Sequence, residues 1–360
     1  MASGTERRQA ALRKGLADLG LEAMIVTGSA NIRYLTGFSG TSAKMLVTGA
    51  RVVLVTDFRY ATQAPAEVGR SVDLRVERSS LWDGIRQALA AHQITRVGID
   101  RARTTLADLD QLKPAGLELV PVSNVVEQLR ATKDEAEIAA IGEAARLATE
   151  ALAAVESGIR AGRTELEVAS DLEAELRRRG SEWHPFQSIV ASGPRSALPH
   201  ARSTARPIQS GDFLVMDFGA QVGGYCSDIT RTFVVGARAD ERQRLVYEVV
   251  QKAQMRAREG LRAGLTGREA DSLARDLIAR AGMGEAFGHS LGHGLGLEVH
   301  EAPRLSQTNE ARLPVGAVVT VEPGVYFEGW GGVRIEDDVV LLEHQAVCLS
   351  DGKTDLMELT

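Results

Sequence analysis

Cysteine is nearly missing from this chain: 360 residues contain two, Cys226 and Cys348. Two thiols exclude a disulfide framework and a thiolate-bound structural zinc, and such scarcity suits a reducing cytoplasm. Positive charge is not in surplus either. The formal net charge is -6 and no long Lys/Arg cluster occurs, so neither nucleic acid nor a membrane surface is an expected partner. No apolar run reaches transmembrane length. The opening segment, Met1 to Gly20, mixes Arg7, Arg8, Arg13 and Lys14 with Glu6 and Asp18 and lacks the apolar run of a signal peptide. Leu12, Leu16 and Leu19 instead mark the stripe of an ordinary first helix ended by Gly20. Internal repeats and low-complexity segments are absent as well.

What is present is enough apolar content, 44%, to give each of two domains its own core. Residues 1–128 alternate helical and strand patterns and read as an α/β layer domain. Ala23–Val26, Ala43–Val47, Arg51–Val55 and Arg96–Ile99 read as strands, and Leu81–Ala91 as a helix. The boundary falls near Leu129-Arg130, where an alanine-rich helical pattern over Lys133–Glu156 suggests a long surface helix. A second such pattern covers Glu165–Arg179. Residues 129–360 continue with strands, helices over Asp240–Glu259 and Arg268–Ala281, and strands again, which suggests an α+β second domain.

Four clusters in that second half carry chemistry. Phe213–Gly219 is a buried-strand sequence interrupted by Asp217, and Gly223-Gly224 leads into a second strand that holds Asp228. If the turn centres between Val222 and Gly223, Asp217 and Asp228 face each other with Cβ atoms ~5 Å apart. Two such anions in an apolar sheet require a proton or a cation between them. A one-residue shift of register would instead send Asp228 to the surface to pair with Arg231, and the two registers stay open at this point.

Phe287–Glu301 packs three of seven histidines, His289, His293 and His300, among glycines. So many glycines make a helix costly and mark close approach of the backbone, and His293, with a glycine on each side, has room to reach an ion. Val318–Val321 is an apolar strand that ends on Glu322, with Pro323 closing the ladder. In Gly332–Leu342, Arg334, Glu336 and Asp338 are spaced two apart and share a strand face. Four carboxylates and an imidazole on neighbouring strands would bring about four negative charges into a sheet core, which two divalent cations would neutralise. Hard oxygen donors with one nitrogen suit Mn²⁺, with Co²⁺ or Zn²⁺ also compatible. Two ions ~3.5–4 Å apart can hold a bridging hydroxide at neutral pH.

These motifs resemble the pita-bread family of dinuclear metallopeptidases, which includes methionine aminopeptidase, aminopeptidase P and prolidase. The likeness covers nearly the whole chain. The family's ligand order Asp, Asp, His, Glu, Glu is met by Asp217 in MDFGA, Asp228 in CSDITRT, His293 in HSLGHGLGLEVHE, Glu322 in TVEPG and Glu336 in RIEDD. Creatinase shares the fold but lacks these ligands. SALPHAR, with His200, and the pair His289 and His300 resemble the proline-directed branch. The first half is similar to small bacterial aminopeptidases P through Asn31–Phe38 and Thr56–Tyr60.

The resemblance implies an Xaa-Pro aminopeptidase, or alternatively an Xaa-Pro dipeptidase or a non-catalytic binding protein on the same fold. It implies a bridging hydroxide attacking the carbonyl before proline, with Glu322 both binding metal and carrying the proton. His200, His289 and His300 would hold carbonyl oxygens, Arg334 would support them, and Phe186 and Tyr326 would wall the pocket for the proline ring. A homodimer is implied too, with Arg59 and Tyr60 either reaching a partner's site or serving as plain surface residues.

Overall fold

The computed structural model describes residues 3–359, so Met1 and Ala2 of the opening segment and the final Thr360 lie outside the description. The chain divides into two compact units, Met1–Arg130 and Ala131–Thr360.

The first unit is a six-stranded sheet of β1 (Ala23–Val26), β2 (Ala43–Thr48), β3 (Val52–Asp57), β4 (Val72–Glu77), β5 (Arg96–Asp100) and β6 (Glu118–Val122), in the order β4-β3-β2-β1-β5-β6. The β1–β2 and β2–β3 pairs are antiparallel and the rest parallel. Its helices are α1 (Gly4–Asp18), α2 (Ser29–Thr36), α3 (Gln63–Glu67), α4 (Leu81–Ala91), α5 (Leu106–Leu112) and α6 (Val125–Arg130). Ile25, Leu46, Val53 and Val55 pack against Trp82, Ile85 and Leu89 of α4, so the sheet buries a face that its β-branched residues could not leave in water. Arg59 is tied to Asp57 at 2.7 Å, and the Tyr60 hydroxyl lies 2.8 Å from Thr41.

The second unit places a pair of helices on each of two sheets. α7 (Glu135–Val155) and α8 (Glu165–Arg179) cover a sheet ordered β19-β11-β8-β7, made of β7 (Ile189–Ser192), β8 (Asp212–Phe218), β11 (Ile229–Val235) and β19 (Met357–Leu359). The short β9 (Gln221–Val222) and β10 (Tyr225–Cys226) close the β8–β11 hairpin. α9 (Glu241–Gly260) and α10 (Gly267–Arg280) pack on the other set: β12 (Gly292–Gly294), β13 (Glu301–Leu305), β14 (Val318–Val321), β15 (Gly324–Phe327), β16 (Gly331–Arg334), β17 (Asp337–Leu341) and β18 (Ala346–Cys348). α7 is the long helix that its pattern suggests, with Arg146 and Glu143 on its solvent face and an alanine-rich face turned to the sheet. Its alanines are small enough for Ala144, Ala145, Ala148 and Ala151 to pack flush on the sheet, with Ile141 and Leu152 also buried.

The β8–β11 hairpin differs from expectation by two residues. Gly223 and Gly224 both take positive φ, 58° and 81°, so they are the two central residues of the turn and Val222 pairs with Tyr225. Asp217 therefore faces Thr230, not Asp228. A shift of two preserves the face on which each side chain lies, whereas a shift of one would have reversed it. Leu214, Met216 and Phe218 enter the core under α7 and α8, and Asp217 points the opposite way, inward.

The glycines around His293 answer to backbone crowding. A Cβ on Gly292 would sit 2.0 Å from the Thr320 carbonyl oxygen, and one on Gly294 would sit 2.2 Å from that of Ala302. The close approach is thus strand to strand. Gly292→Ala is expected to cost roughly 1–3 kcal/mol of stability in urea melts. Gly288→Ala, where an added Cβ meets nothing within 4 Å, should change it by less than about 0.5 kcal/mol; equal midpoints for the two variants would contradict this packing.

Candidate metal centre

Strand ends from both sheets deliver the site. Asp217 is the penultimate residue of β8, and Asp228 stands just before β11. His293 is the middle of β12, Glu322 follows β14, and Glu336 occupies the gap between β16 and β17, where its N–H donates to the Thr230 carbonyl at 3.1 Å. All five line one cavity of about 540 Å³, together with His200, His289, His300, Phe186 and Arg334.

Within it the acidic groups crowd together. His293 Nε2 lies 3.4 Å from Glu322 Oε1 and 3.7 Å from Asp228 Oδ2. Donor atoms of Asp228, His293 and Glu336 fall within 4.8 Å of one another. Burial, then the charges of Glu336 and Asp217, push the Asp228 carboxyl far above its ordinary range. Glu322 is raised in the same way by burial and then by Glu336, and Glu336 is pushed up to about 8 by burial and then by Asp217. The buried cation that answers them is Arg334, whose NH2 is 2.5 Å from Asp217 Oδ2 and whose Nε is 4.0 Å from Glu336. With one guanidinium against four carboxylates, about three of the acids must take either a proton or a cation.

The donor set fits a cation. Asp217 Oδ1 is buried without a hydrogen-bond partner among the described residues. His293 Nδ1–H donates to the Gly294 carbonyl at 3.0 Å, which leaves the Nε2 lone pair facing the carboxylates, and burial holds the ring neutral by lowering its pKa to about 4. Glu336 Oε2 accepts from Thr230 Oγ1 at 2.6 Å, and Thr230 Oγ1 in turn accepts from Arg334 Nε at 2.9 Å. Asp228 is set by its own N–H, which donates to Asp338 at 3.1 Å.

The remaining sequence candidates separate into two kinds. His200 and His300 reach the cavity with no hydrogen bond to either ring among the described residues, and His300 lies 4.3 Å from the His293 ring, centroid to centroid. His289 has both nitrogens engaged: Nδ1 donates to Ser290 O at 2.8 Å, and Nε2 accepts from the Tyr326 hydroxyl at 3.0 Å. That hydroxyl accepts from Arg334 NH1 at 2.9 Å. Tyr326, expected as a pocket wall, is not among the residues that line the cavity; its polar end reaches His289 and Arg334 instead.

Several contributors escaped sequence reasoning. Thr230 and Thr320 read as ordinary strand residues, yet Thr320 Oγ1 accepts from His293 N–H at 3.1 Å and donates to Glu322 at 3.3 Å. Arg231 is buried and pairs with Asp337 at 2.8 Å, while its NH1 donates to the carbonyls of Thr230 and Glu336 from behind. Arg202 and Arg304 line the cavity unnoticed, because exposed arginines carry no signal in a chain so rich in them.

The titration pattern has a measurable sign. A carboxyl whose pKa is raised by folding contributes stability in full at acid pH, and that contribution is lost as pH rises through its folded value. His289 and His293, lowered from 6.5 to about 4 by burial, lose stability only as pH falls through that interval. Between about 6.5 and 8 the carboxyls act alone. Chelator-treated protein should therefore melt at lower temperature at pH 8 than at pH 6.5, and saturating divalent cation should flatten the trend. A chelated protein whose melting temperature rises over that interval would refute the burial described.

Known proteins resemble this chain along its length. The sequence profile of metallopeptidase family M24 matches residues 139–343, and that of the creatinase/prolidase N-terminal domain matches residues 8–132. An uncharacterised peptidase of Bacillus subtilis, YqhT, is 42% identical over 97% of this chain and 99% of its own. The solved Xaa-Pro dipeptidase of Bacillus anthracis superposes with a TM-score of 0.95 at 39% identity, covering 99% of this chain and 100% of that one. The X-Pro aminopeptidase of Thermotoga maritima gives 0.90 at 36%, covering 97% and 99%. With a family profile spanning more than half its length and the cavity's acidic cluster inside that span, the chain belongs to metallopeptidase family M24, on a creatinase/prolidase N-terminal domain and a pita-bread catalytic domain.

Proposed function

We propose that the protein is a metal-dependent exopeptidase that hydrolyses the peptide bond preceding proline and releases the residue in front of it. The observation that carries the reading is the convergence of Asp217, Asp228, His293, Glu322 and Glu336 on one cavity where a single guanidinium faces four acids. These five residues would hold two divalent cations, for which hard oxygen donors make Mn²⁺ the best match; the cations supply an activated water near neutral pH and polarise the scissile carbonyl.

The chain's own groups do the rest. Glu322 Oε1 faces His293, and Oε2, 3.9 Å from His289 Nδ1, is the atom that holds the proton in transit to the leaving prolyl nitrogen. His200 and His300, with unengaged ring nitrogens, donate to carbonyl oxygens as charge develops. His289 serves differently: with Tyr326 it fixes Arg334, which in turn aligns Asp217. Phe186, Ile189 and Val299 offer apolar wall for a pyrrolidine ring that has no N–H to bind.

The aminopeptidase and dipeptidase readings share this chemistry and part at the substrate's C-terminus. A dipeptidase needs a cation there, and the cavity carries two guanidiniums, Arg202 and Arg304, that have no ion-pair partner among the described residues. This favours a free carboxylate directly after proline, hence Xaa-Pro dipeptides as the better substrates.

Metal-stripped protein reloaded with Mn²⁺ or Co²⁺ should hydrolyse Leu-Pro, and more slowly Leu-Pro-Gly; inertness toward both peptides with both metals would overturn the proposal. Arg304→Met should raise KM for Leu-Pro while leaving that for Leu-Pro-Gly nearly unchanged. His300→Ala should lower kcat about 10²-fold with metal content intact, whereas Glu336→Ala should lose metal first, as read by elemental analysis.

A further inference from the structure

Glu165, the first residue of α8, is fully buried yet does not line the cavity. Its carboxylate accepts every hydrogen bond from one segment. Oε1 takes the Ser192 N–H at 2.8 Å and the Ser192 hydroxyl at 2.9 Å. Oε2 takes the Thr204 N–H at 3.0 Å and the Thr204 hydroxyl at 2.8 Å. Arg195 Nε is shared between the two oxygens at 3.2 and 3.1 Å, and Arg195 NH2 donates onward to the Arg202 carbonyl.

Those contacts enclose residues 193–203, the stretch that brings His200 and Arg202 to the cavity. The stretch has little core of its own: Leu198, His200 and Arg202 are exposed. Opposite the clamp, Arg334 NH1 donates to the Pro199 carbonyl at 3.2 Å, so His200 is held from the metal side as well. A segment with few apolar contacts keeps one conformation only where its polar groups are tied down. The charged acceptor supplies the strong form of that tie, and its loss strands buried N–H groups.

We propose that Glu165 is a positioning residue for the reaction, acting through His200: a buried anion that clips together the two ends of the substrate-facing loop. The inference rests on the reading of His200 as a carbonyl donor. It separates substrate geometry, which Glu165 governs, from metal affinity, which it does not touch.

Glu165→Ala and Glu165→Gln test it, since every bond is accepted and an amide NH2 would face donors. Both variants should bind metal as the parent does and lose roughly 10- to 100-fold in kcat/KM toward Leu-Pro. Combined with His200→Ala and read on Leu-Pro-Gly, whose C-terminus does not engage Arg202, Glu165→Gln should cost nothing further, because the residue it positions is gone. A loss that multiplies in the double variant, a loss of metal, or unchanged kinetics in Glu165→Gln would each overturn the proposal. If the parent protein cleaves no prolyl peptide, it is the functional reading that fails. The clamp is then read by limited trypsin digestion, where faster cutting after Arg195 and Arg202 in the variants supports it and an unchanged rate refutes it.

Discussion

Repulsion among four carboxylates held in a sheet interior is the constraint on which the rest of this molecule depends. Each of Asp217, Asp228, Glu322 and Glu336 would be costly to bury alone, and burial with the neighbouring charges raises the proton affinity of Asp228, Glu322 and Glu336. A fold does not concentrate such a penalty by chance. The two larger sheets of the second unit each carry their own helix pair and their own apolar core, so the acidic strand ends meet without forming part of either core. Hydrophobic burial on the outer faces thereby offsets the electrostatic strain at the centre.

The arrangement of supporting groups follows from that strain. Arg334 compensates the charge of Asp217 directly and, through Thr230 and Tyr326, reaches Glu336 and His289. Behind it, Arg231, Arg258, Gln254 and Ser350 all donate to the buried Asp337 carboxylate, which stiffens the backbone between Arg334 and Asp338. The glycines flanking His293 let three strands close on one another, which delivers its imidazole to the carboxylates with the right nitrogen free. Function at this centre is thus a property of the layers around it as much as of the residues that face the cavity.

Much of this could be read in the sequence, and the reasons are specific. A carboxylate at the end of an apolar run, as in Val318–Glu322, or within one, as at Asp217, breaks a pattern that otherwise has one interpretation. The strands Ala23–Val26 and Arg96–Ile99, the latter one residue short of β5, and the helices Leu81–Ala91 and Glu165–Arg179 are legible from period and punctuation. The β8–β11 register was not, because two adjacent glycines leave the centre of a turn ambiguous. Glu165 was hidden for a different reason: at the start of a charged, amphipathic helix a glutamate looks like first-turn dipole complement, and its burial depends on a loop some thirty residues away. In sequence Tyr326 reads as an apolar wall, because sequence cannot say which end of a tyrosine meets its neighbours.

Anomalous diffraction from crystals grown with Mn²⁺ tests the central claim most directly. Two peaks, bounded by the carboxylates of Asp217, Asp228, Glu322 and Glu336 and by His293 Nε2, are expected. No peak in the cavity, or manganese held by other residues while these five stay metal-free, would contradict it.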